Sequence, residues 1–489
     1  MQPLTPQQAA FIATCLDSDS IALEALAGTG KTFSLRQWGN TSRRAGIATS
    51  FSKSTVAELA QKLGPKFPAK TFHALGLAAI KSTGKTTKLD TSKMFNIVKA
   101  LSEEHEIPFE LQSEIRALAT IAKVYGIQPD PTGPDGISPN DPSTWATLAD
   151  MYDIEFSEEI LYHAKNAVNL SNLAFQKDGL IDFDDMLYCS LIYPHRFSRN
   201  NIILADEVQD FNLLQHTMLK RCLLPSGRVI AAGDPNQAIY AFRGALSDSY
   251  DALINTFSMR KLPLTVSFRC PKSVIKVAQE YVPAIEAAPQ NVEGQVLYPT
   301  YLSLSDIPKT VLCRNNSPLM RLALRLLVSG RTVEIAGRDI GQNLVKLTER
   351  ITKKNLSSEE FIDRLNQWKS RELNKYPRRK TSITEKANVL SHLARAHKDV
   401  DSVRKHLGKL YPDTNSKEYR PADVHLSTIH KAKGREWPNV LILDPQLIGK
   451  HAQSDQDQQQ ERNLGYVAVT RVQRELTFIA SPQIEGLED

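Results

Sequence analysis

Ala25-Leu26-Ala27-Gly28-Thr29-Gly30-Lys31-Thr32 closes an apolar run, residues 21–26, and leads into helix-compatible sequence. A strand, a glycine-bearing loop and a helix start thus stand in series. Gly28 and Gly30 let the backbone approach phosphate oxygens and turn its N–H groups inward. Lys31 can reach β- and γ-phosphates, and the Thr32 hydroxyl can ligate Mg²⁺. Ala25 occupies the place of the first glycine in the general P-loop pattern. The loop implies that phosphate is held; the alternative is a bare glycine turn between strand and helix.

Working outward, residues 46–51, 201–205, 228–232 and 261–266 are also short, apolar and bounded by polar or turn residues. They read as buried strands of a mostly parallel sheet, with helices such as 54–63 and 213–223 between them. A second set follows at 310–313, 332–335, 424–427 and 440–443. The expected class is therefore α/β, with two nucleotide-fold units, each interrupted by a mainly helical insertion. The first insertion surrounds a Pro/Gly-rich loop, residues 128–136, expected to be an exposed excursion.

The 489 residues exceed one core, and about three or four domains is the expectation from length. With 41% hydrophobic and 23% charged residues, the composition is that of a globular protein. No basic segment followed by an apolar run opens the chain, and no stretch approaches the roughly 18 apolar residues of a membrane span. A soluble, cytoplasmic protein without membrane association is expected. Five cysteines without a Cys-x-x-Cys pair argue against a disulfide framework, a zinc site or an iron–sulfur site.

The net charge of +6 is unevenly placed. Residues 345–423 hold 19 Lys/Arg against 11 Asp/Glu, which is +8 and leaves −2 for the rest. Lys353-Lys354 and Arg378-Arg379-Lys380, with Trp368 and Tyr376 between them, suit contact with a phosphate backbone. A solvated helical surface is the alternative.

Ile202-Ile203-Leu204-Ala205 runs into Asp206-Glu207-Val208-Gln209-Asp210. Adjacent carboxylates at a strand end suit ATP hydrolysis: Asp206 can hold Mg²⁺, and Glu207 can orient and deprotonate the attacking water. Arginine must meet the charge on the γ-phosphate. Arg269 and Arg471 are candidates, although spacing alone does not select them.

The ordered motifs resemble superfamily 1 helicases of the UvrD/Rep/PcrA group. Leu4-Thr5-Pro6-Gln7-Gln8 is similar to the group's N-terminal glutamine motif. After the P-loop come Ser50-Phe51-Ser52-Lys53 and Thr71-Phe72-His73-Ala74-Leu75, which resemble two DNA-contacting motifs. Gly179-Leu180-Ile181-Asp182-Phe183-Asp184-Asp185-Met186-Leu187 resembles the stretch where the first insertion rejoins the core. Gly233-Asp234-Pro235-Asn236-Gln237, continuing through Tyr240-Ala241-Phe242-Arg243-Gly244-Ala245, is similar to the third motif. Phe268-Arg269 matches the fourth, Ser427-Thr428-Ile429-His430-Lys431 through Glu436-Trp437 the fifth, and Glu461-Arg462 through Arg471 the sixth.

The resemblance implies two RecA-like P-loop NTPase motor domains. Domain 1 is expected at 1–76 and 179–260 around an insertion at 77–178, and domain 2 at 261–344 and 424–489 around a reduced, basic insertion at 345–423. It implies a catalytic set of Lys31, Asp206, Glu207, Gln237, Arg269 and Arg471. ATP would be bound by Gln8, Ala27, Gly28, Thr29, Gly30, Lys31, Thr32, Phe268 and Glu436, and Mg²⁺ by Thr32 and Asp206. DNA contacts fall on Phe51, Phe72, His73, Tyr240, Phe242, Arg243 and His430; core packing is the alternative for each aromatic. Phe33 stands where many relatives place an arginine on the adenine. No nuclease-like segment is expected after Arg471. The implied activity is an ATP-dependent, 3′→5′ motor on single-stranded DNA and its junctions with duplex, serving repair, recombination or replication. A switch-like ATPase within a repair or phage-defence assembly, and a motor on RNA, are the rivals.

Overall fold

Strands buried on both faces must be apolar, and in the first unit four strands with such buried runs join a more exposed edge strand in one parallel sheet. They are β1 (Ile21–Ala25), β2 (Ile47–Ser50), β3 (Asn200–Asp206), β4 (Leu223–Gly233) and β5 (Arg260–Leu264). Their order across the sheet is β2-β3-β4-β1-β5. The computed structural model describes residues 4–130, 132–152, 154–239, 249–336, 338–375, 380–410, 422–450, 452 and 454–487.

The register matters for the site. Glu24 of β1 lies level with Gly233 of β4, and Asp206 of β3 with Ala232 of β4. The carboxyl ends of three neighbouring strands therefore finish side by side, the place where open parallel sheets hold ligands.

Contact density divides the chain into two units, Met1–Thr265 and Val266–Asp489. β5 pairs with β1 from Ile21↔Arg260 to Ala25↔Leu264 and so lies with the first unit. Among the described residues, buried side chains of both helical insertions join clusters that include strands of the sheets. Helices Lys93–Glu104, Phe109–Val124, Pro142–Met151 and Glu158–Asp178 occupy the first insertion. Their buried Val98, Ile115, Leu118 and Val168 share one cluster with Ile203 and Ala205 of β3.

A buried ion network pins this insertion to the sheet domain. Lys93 Nζ lies 2.6 Å from Asp185 Oδ2, and Lys123 Nζ lies 2.7 Å from Asp185 Oδ1 and 2.9 Å from Asp182 Oδ2. Asp182 and Asp185 also form the capping box of helix Phe183–Ile192. Burial would push Asp185 up, but Lys123 and Lys93 prevail and lower it to about 2.

The second unit has a six-stranded parallel sheet: β6 (Gln295–Leu297), β7 (Thr310–Cys313), β8 (Val333–Ile335), β9 (Val424–Thr428), β10 (Trp437–Leu443) and β11 (Val472–Ile479). Its order is β6-β11-β10-β7-β9-β8. Helix Arg338–Ile351 runs into the basic segment, and helices Ser358–Lys375, Lys380–Arg395 and Val400–Leu410 lie within it. Their Phe361, Leu365, Leu390 and Val403 share a cluster with Val311 and Leu441 of the sheet. The fold is thus two RecA-like α/β domains with helical insertions packed directly onto them. No helix among the described residues is long and apolar enough to cross a membrane.

Candidate functional site

Gly28 and Gly30 adopt φ of 74° and 81°, the left-handed region that glycine enters without strain. Gly30 caps helix Lys31–Thr41, and a Cβ there would stand 3.1 Å from Gln8 Nε2. Thr29 turns its hydroxyl back to Leu26 O at 2.8 Å, closing the loop. Ala27 and Thr29 are buried beneath it. Gln8 is buried too: its Oε1 accepts from Thr5 N at 3.0 Å and its Nε2 donates to Thr29 O at 3.2 Å. Gln8 therefore braces the loop from behind.

The loop lysine meets the acid pair. Lys31 Nζ lies 2.6 Å from Glu207 Oε1 and 3.4 Å from Asp206 Oδ1. Burial alone would pull Lys31 down, but the facing carboxylates outweigh it and hold the ammonium above its ordinary range. Asp206 is wholly buried at the end of β3, and burial pushes its carboxyl up against the pull of Lys31. Glu207 has φ 58°, a strained conformation for a residue with a side chain, and its N–H donates to Asp206 Oδ1 at 2.9 Å.

Thr32 Oγ1 donates to Asp206 Oδ2 at 3.3 Å. One hydroxyl and one carboxylate, side by side and next to a phosphate loop, are the donor set that Mg²⁺ takes from proteins when phosphates and water supply its other ligands. The residues fit that ion.

Beyond β4, Gln237 sits in a short 3₁₀ turn, Pro235–Gln237, and donates to Asp234 Oδ2 at 2.7 Å. Gln209 links this turn to the acid pair: its Nε2 donates to Glu207 Oε2 at 2.6 Å, and its Oε1 accepts from Asp234 N at 3.1 Å. A Cβ on Gly233 would come within 2.7 Å of Gln209 Oε1, so that link requires glycine. Burial raises Asp234 to about 6, against Gln237 and Lys31. Asp234 and Gln209 lie within the motifs read from sequence, but their bridging role needs the fold.

Arg269, Glu436 and Arg471 gather in the second unit, where β10 and β11 begin. Arg269 Nε is ion-paired with Glu436, and its NH1 donates to Thr470 O at 3.3 Å. Glu436 also accepts from Gln473 Nε2 at 3.0 Å. Arg471 is 1% exposed, and its guanidinium donates to Val467 O at 2.9 Å, Arg435 O at 3.4 Å and Thr470 Oγ1 at 3.0 Å. Phe268 is half-buried beside Arg269.

The residues expected along a nucleic-acid strand divide. Phe72 is 1% exposed and meets Phe211 edge to face, 4.9 Å between centroids. The ring faces inward from the first turn of helix Phe72–Lys81 and packs in the core. Phe51 is half-buried against the same core. His73 is exposed and lies edge-on to Phe183, 6.1 Å between centroids. Phe183 is 52% exposed although it follows the buried cap Asp182, and the sequence reading did not single it out. His430 is half-buried on helix Ile429–Ala432. Tyr240, Phe242 and Arg243 lie outside the described residues.

A phosphate loop after β1, an acid pair at the end of β3 and a glutamine turn beyond β4, the strand between them, define the first unit as a P-loop nucleotide-binding domain. The chain belongs to the UvrD/Rep helicase family. The model of the UvrD/REP helicase N-terminal domain matches residues 4–258, and that of the UvrD-like helicase C-terminal domain matches residues 195–483.

Among its relatives is a probable DNA helicase II homolog of Mycoplasma pneumoniae, 24% identical over 51% of this chain and 37% of that protein. Another is F-box DNA helicase protein 1 of Schizosaccharomyces pombe, 26% identical over 58% of this chain and 34% of that one. A third, a probable DNA helicase of M. pneumoniae, is 24% identical over 58% of this chain and 56% of its own length. The matches thus span between about a third and just over half of these relatives' lengths.

Proposed function

We propose that the chain is an ATP-driven motor that moves 3′→5′ along single-stranded DNA and unwinds duplex at its junctions. The observation that carries this reading is the convergence of Lys31, Asp206 and Glu207 at the carboxyl ends of β1 and β3, in a chain of a helicase family. Lys31 exchanges its carboxylate partners for the β- and γ-phosphates of ATP. Glu207, released from Lys31 and still held by Gln209, takes a proton from water as the water oxygen bonds to the γ-phosphorus and the bond to ADP breaks. Thr32 and Asp206 would hold Mg²⁺, which neutralises charge on the phosphates. Gln237 senses the γ-phosphate, and Arg269 and Arg471 supply positive charge to it, as the family resemblance implies. Phe183 and His73 offer ring faces and edges to bases of any sequence. Repair, recombination or replication is the proposed setting.

Unwinding of 3′-tailed and 5′-tailed duplexes tests activity and polarity together. Strand separation on the 3′-tailed substrate alone is expected. Lys31→Ala should abolish DNA-stimulated ATP hydrolysis, and Glu207→Gln should lower it by about 10²–10⁴. Wild-type turnover in Lys31→Ala would defeat the assignment; turnover without strand separation would mark an ATP-driven switch. Stronger stimulation by RNA than by DNA of equal length would mark an RNA motor.

A further inference from the structure

The basic segment contains a cleft that the motor chemistry does not use. Its volume is about 630 Å³, and it is lined by Arg350, Trp368, Arg371, Glu372, Asn374 and Lys375 from helices Arg338–Ile351 and Ser358–Lys375. That volume lies within the range of pockets that hold small organic groups. Trp368 packs in part against the core of the second unit and also lines the cleft. Its indole N–H is buried and has no hydrogen-bond partner among the described residues. A buried donor left unmatched costs about 1–3 kcal/mol, so a native structure that keeps one calls for an explanation.

The rim is cationic. Arg350 and Arg371 are exposed, and among the described residues Arg371 Nε donates to Gln367 O of the preceding turn, at 3.3 Å. Among the described residues neither guanidinium is ion-paired, although Glu372 lines the same cleft. Guanidinium groups that keep their forks open beside a tryptophan ring combine the two elements of nucleotide recognition, charge for the phosphate and a π-face for the base. The surrounding segment carries the chain's whole charge excess, +8 against −2 elsewhere.

We propose that this cleft binds one nucleotide unit of a nucleic-acid strand, with its phosphodiester on Arg350 and Arg371 and its base against Trp368. It is a hold on the strand separate from the ATP site, and it rests on the reading that the motor works on nucleic acid. The cleft keeps the strand engaged while the motor's own grip changes between ATP states. Free nucleotide offers the same chemistry, and the test separates the two sources.

The test measures binding of a fluorescent dT oligonucleotide, an abasic oligonucleotide of equal length and ADP to the full chain, across a salt series. In Arg350→Ala/Arg371→Ala, the slope of log affinity against log salt should fall by about 1.4 for both oligonucleotides, two phosphates at about 0.7 each for single strands. Trp368→Leu should weaken the dT strand at least about fivefold and leave the abasic strand unchanged. ATP turnover without nucleic acid should stay at the wild-type level in both variants, which also reports that they are folded. Unchanged slope and affinity in the double arginine variant would overturn the proposal, as would a fall in ADP stoichiometry from two sites to one with oligonucleotide binding intact. A wild-type chain that binds strands but shows no strand-stimulated turnover would instead defeat the motor reading and leave the cleft standing.

Discussion

Gln237 donates its side-chain amide to Asp234 Oδ2 at 2.7 Å, and Asp234 itself is wholly buried. The carboxylate must be ionised to accept that bond without competition. Burial raises its pKa to about 6, so protonation begins at mildly acid pH. Turnover should therefore fall about tenfold per pH unit below about 6, and in Asp234→Asn this acid limb should vanish while the plateau drops.

The sign for folding is opposite. A carboxyl raised from 3.8 to about 6 binds its proton in the native state before the unfolded chain does. Its contribution to stability therefore rises as pH falls through 6 toward 3.8. Acid loss of rate through Asp234 is thus distinct from acid unfolding, and circular dichroism recorded across the pH–rate profile separates the two.

Arg269 and Glu436 form the second unit's central ion pair. If Arg269 meets the γ-phosphate, Arg269→Ala should cost about 10³–10⁵ in kcat, while nucleotide affinity changes far less. Glu436→Gln keeps the bond to Gln473 and weakens the hold on Arg269. Its expected signature is a raised KM for ATP with a smaller loss in kcat, read from steady-state phosphate release. Equal loss of kcat in both variants would mean that Glu436 acts only by positioning Arg269.

The strands that flank the site were legible because a strand buried on both faces admits few residue types. Residues 310–313 read as a strand and form β7 (Thr310–Cys313). The edge strand β6 and strand β11 were not read. Gln295–Leu297 is short, and Val472–Ile479 carries Gln473, Arg474 and Glu475 in its first half, so neither shows an apolar run. The phosphate loop and acid pair were legible from chemistry, since few other uses exist for Gly-Lys-Thr followed later by Asp-Glu at a strand end. Burial was not. Phe72 and Phe183 both open helices inside motifs read from the sequence, yet one points into the core and the other into solvent. Helix rotation decides that, and it is set by packing partners distant in sequence.

Those two phenylalanines should consequently separate stability from binding. Phe72→Ala removes a ring that packs on Phe211 in the core and should destabilise the fold by about 3–5 kcal/mol. Phe183→Ala removes an exposed ring and should change stability by less than about 0.5 kcal/mol. Its single-strand affinity should fall about fivefold or more, because a stacked base is worth about 1–3 kcal/mol. Urea denaturation and oligonucleotide anisotropy, measured on both variants, give the four numbers needed. A large affinity loss in Phe72→Ala at a temperature where it remains folded would return that ring to the strand path.

Phe183 is presented by the buried network beneath it. Lys123 neutralises Asp182 and Asp185, the two residues that cap the helix on which Phe183 is first, and Lys93 shares Asp185. Removing one partner of a buried pair leaves a charge with no water to solvate it, at a cost of about 3–5 kcal/mol. Lys123→Met should lose that amount. Lys123→Met/Asp182→Asn, which also removes one negative charge and leaves Lys93 to balance Asp185, should recover part of it. Because the same carboxylates cap the helix, Lys123→Met should also weaken single-strand binding, while ATP turnover without DNA stays near wild type. Thermal unfolding with and without oligonucleotide checks both effects, and an additive double variant would show that Lys123 and Asp182 do not act as a pair.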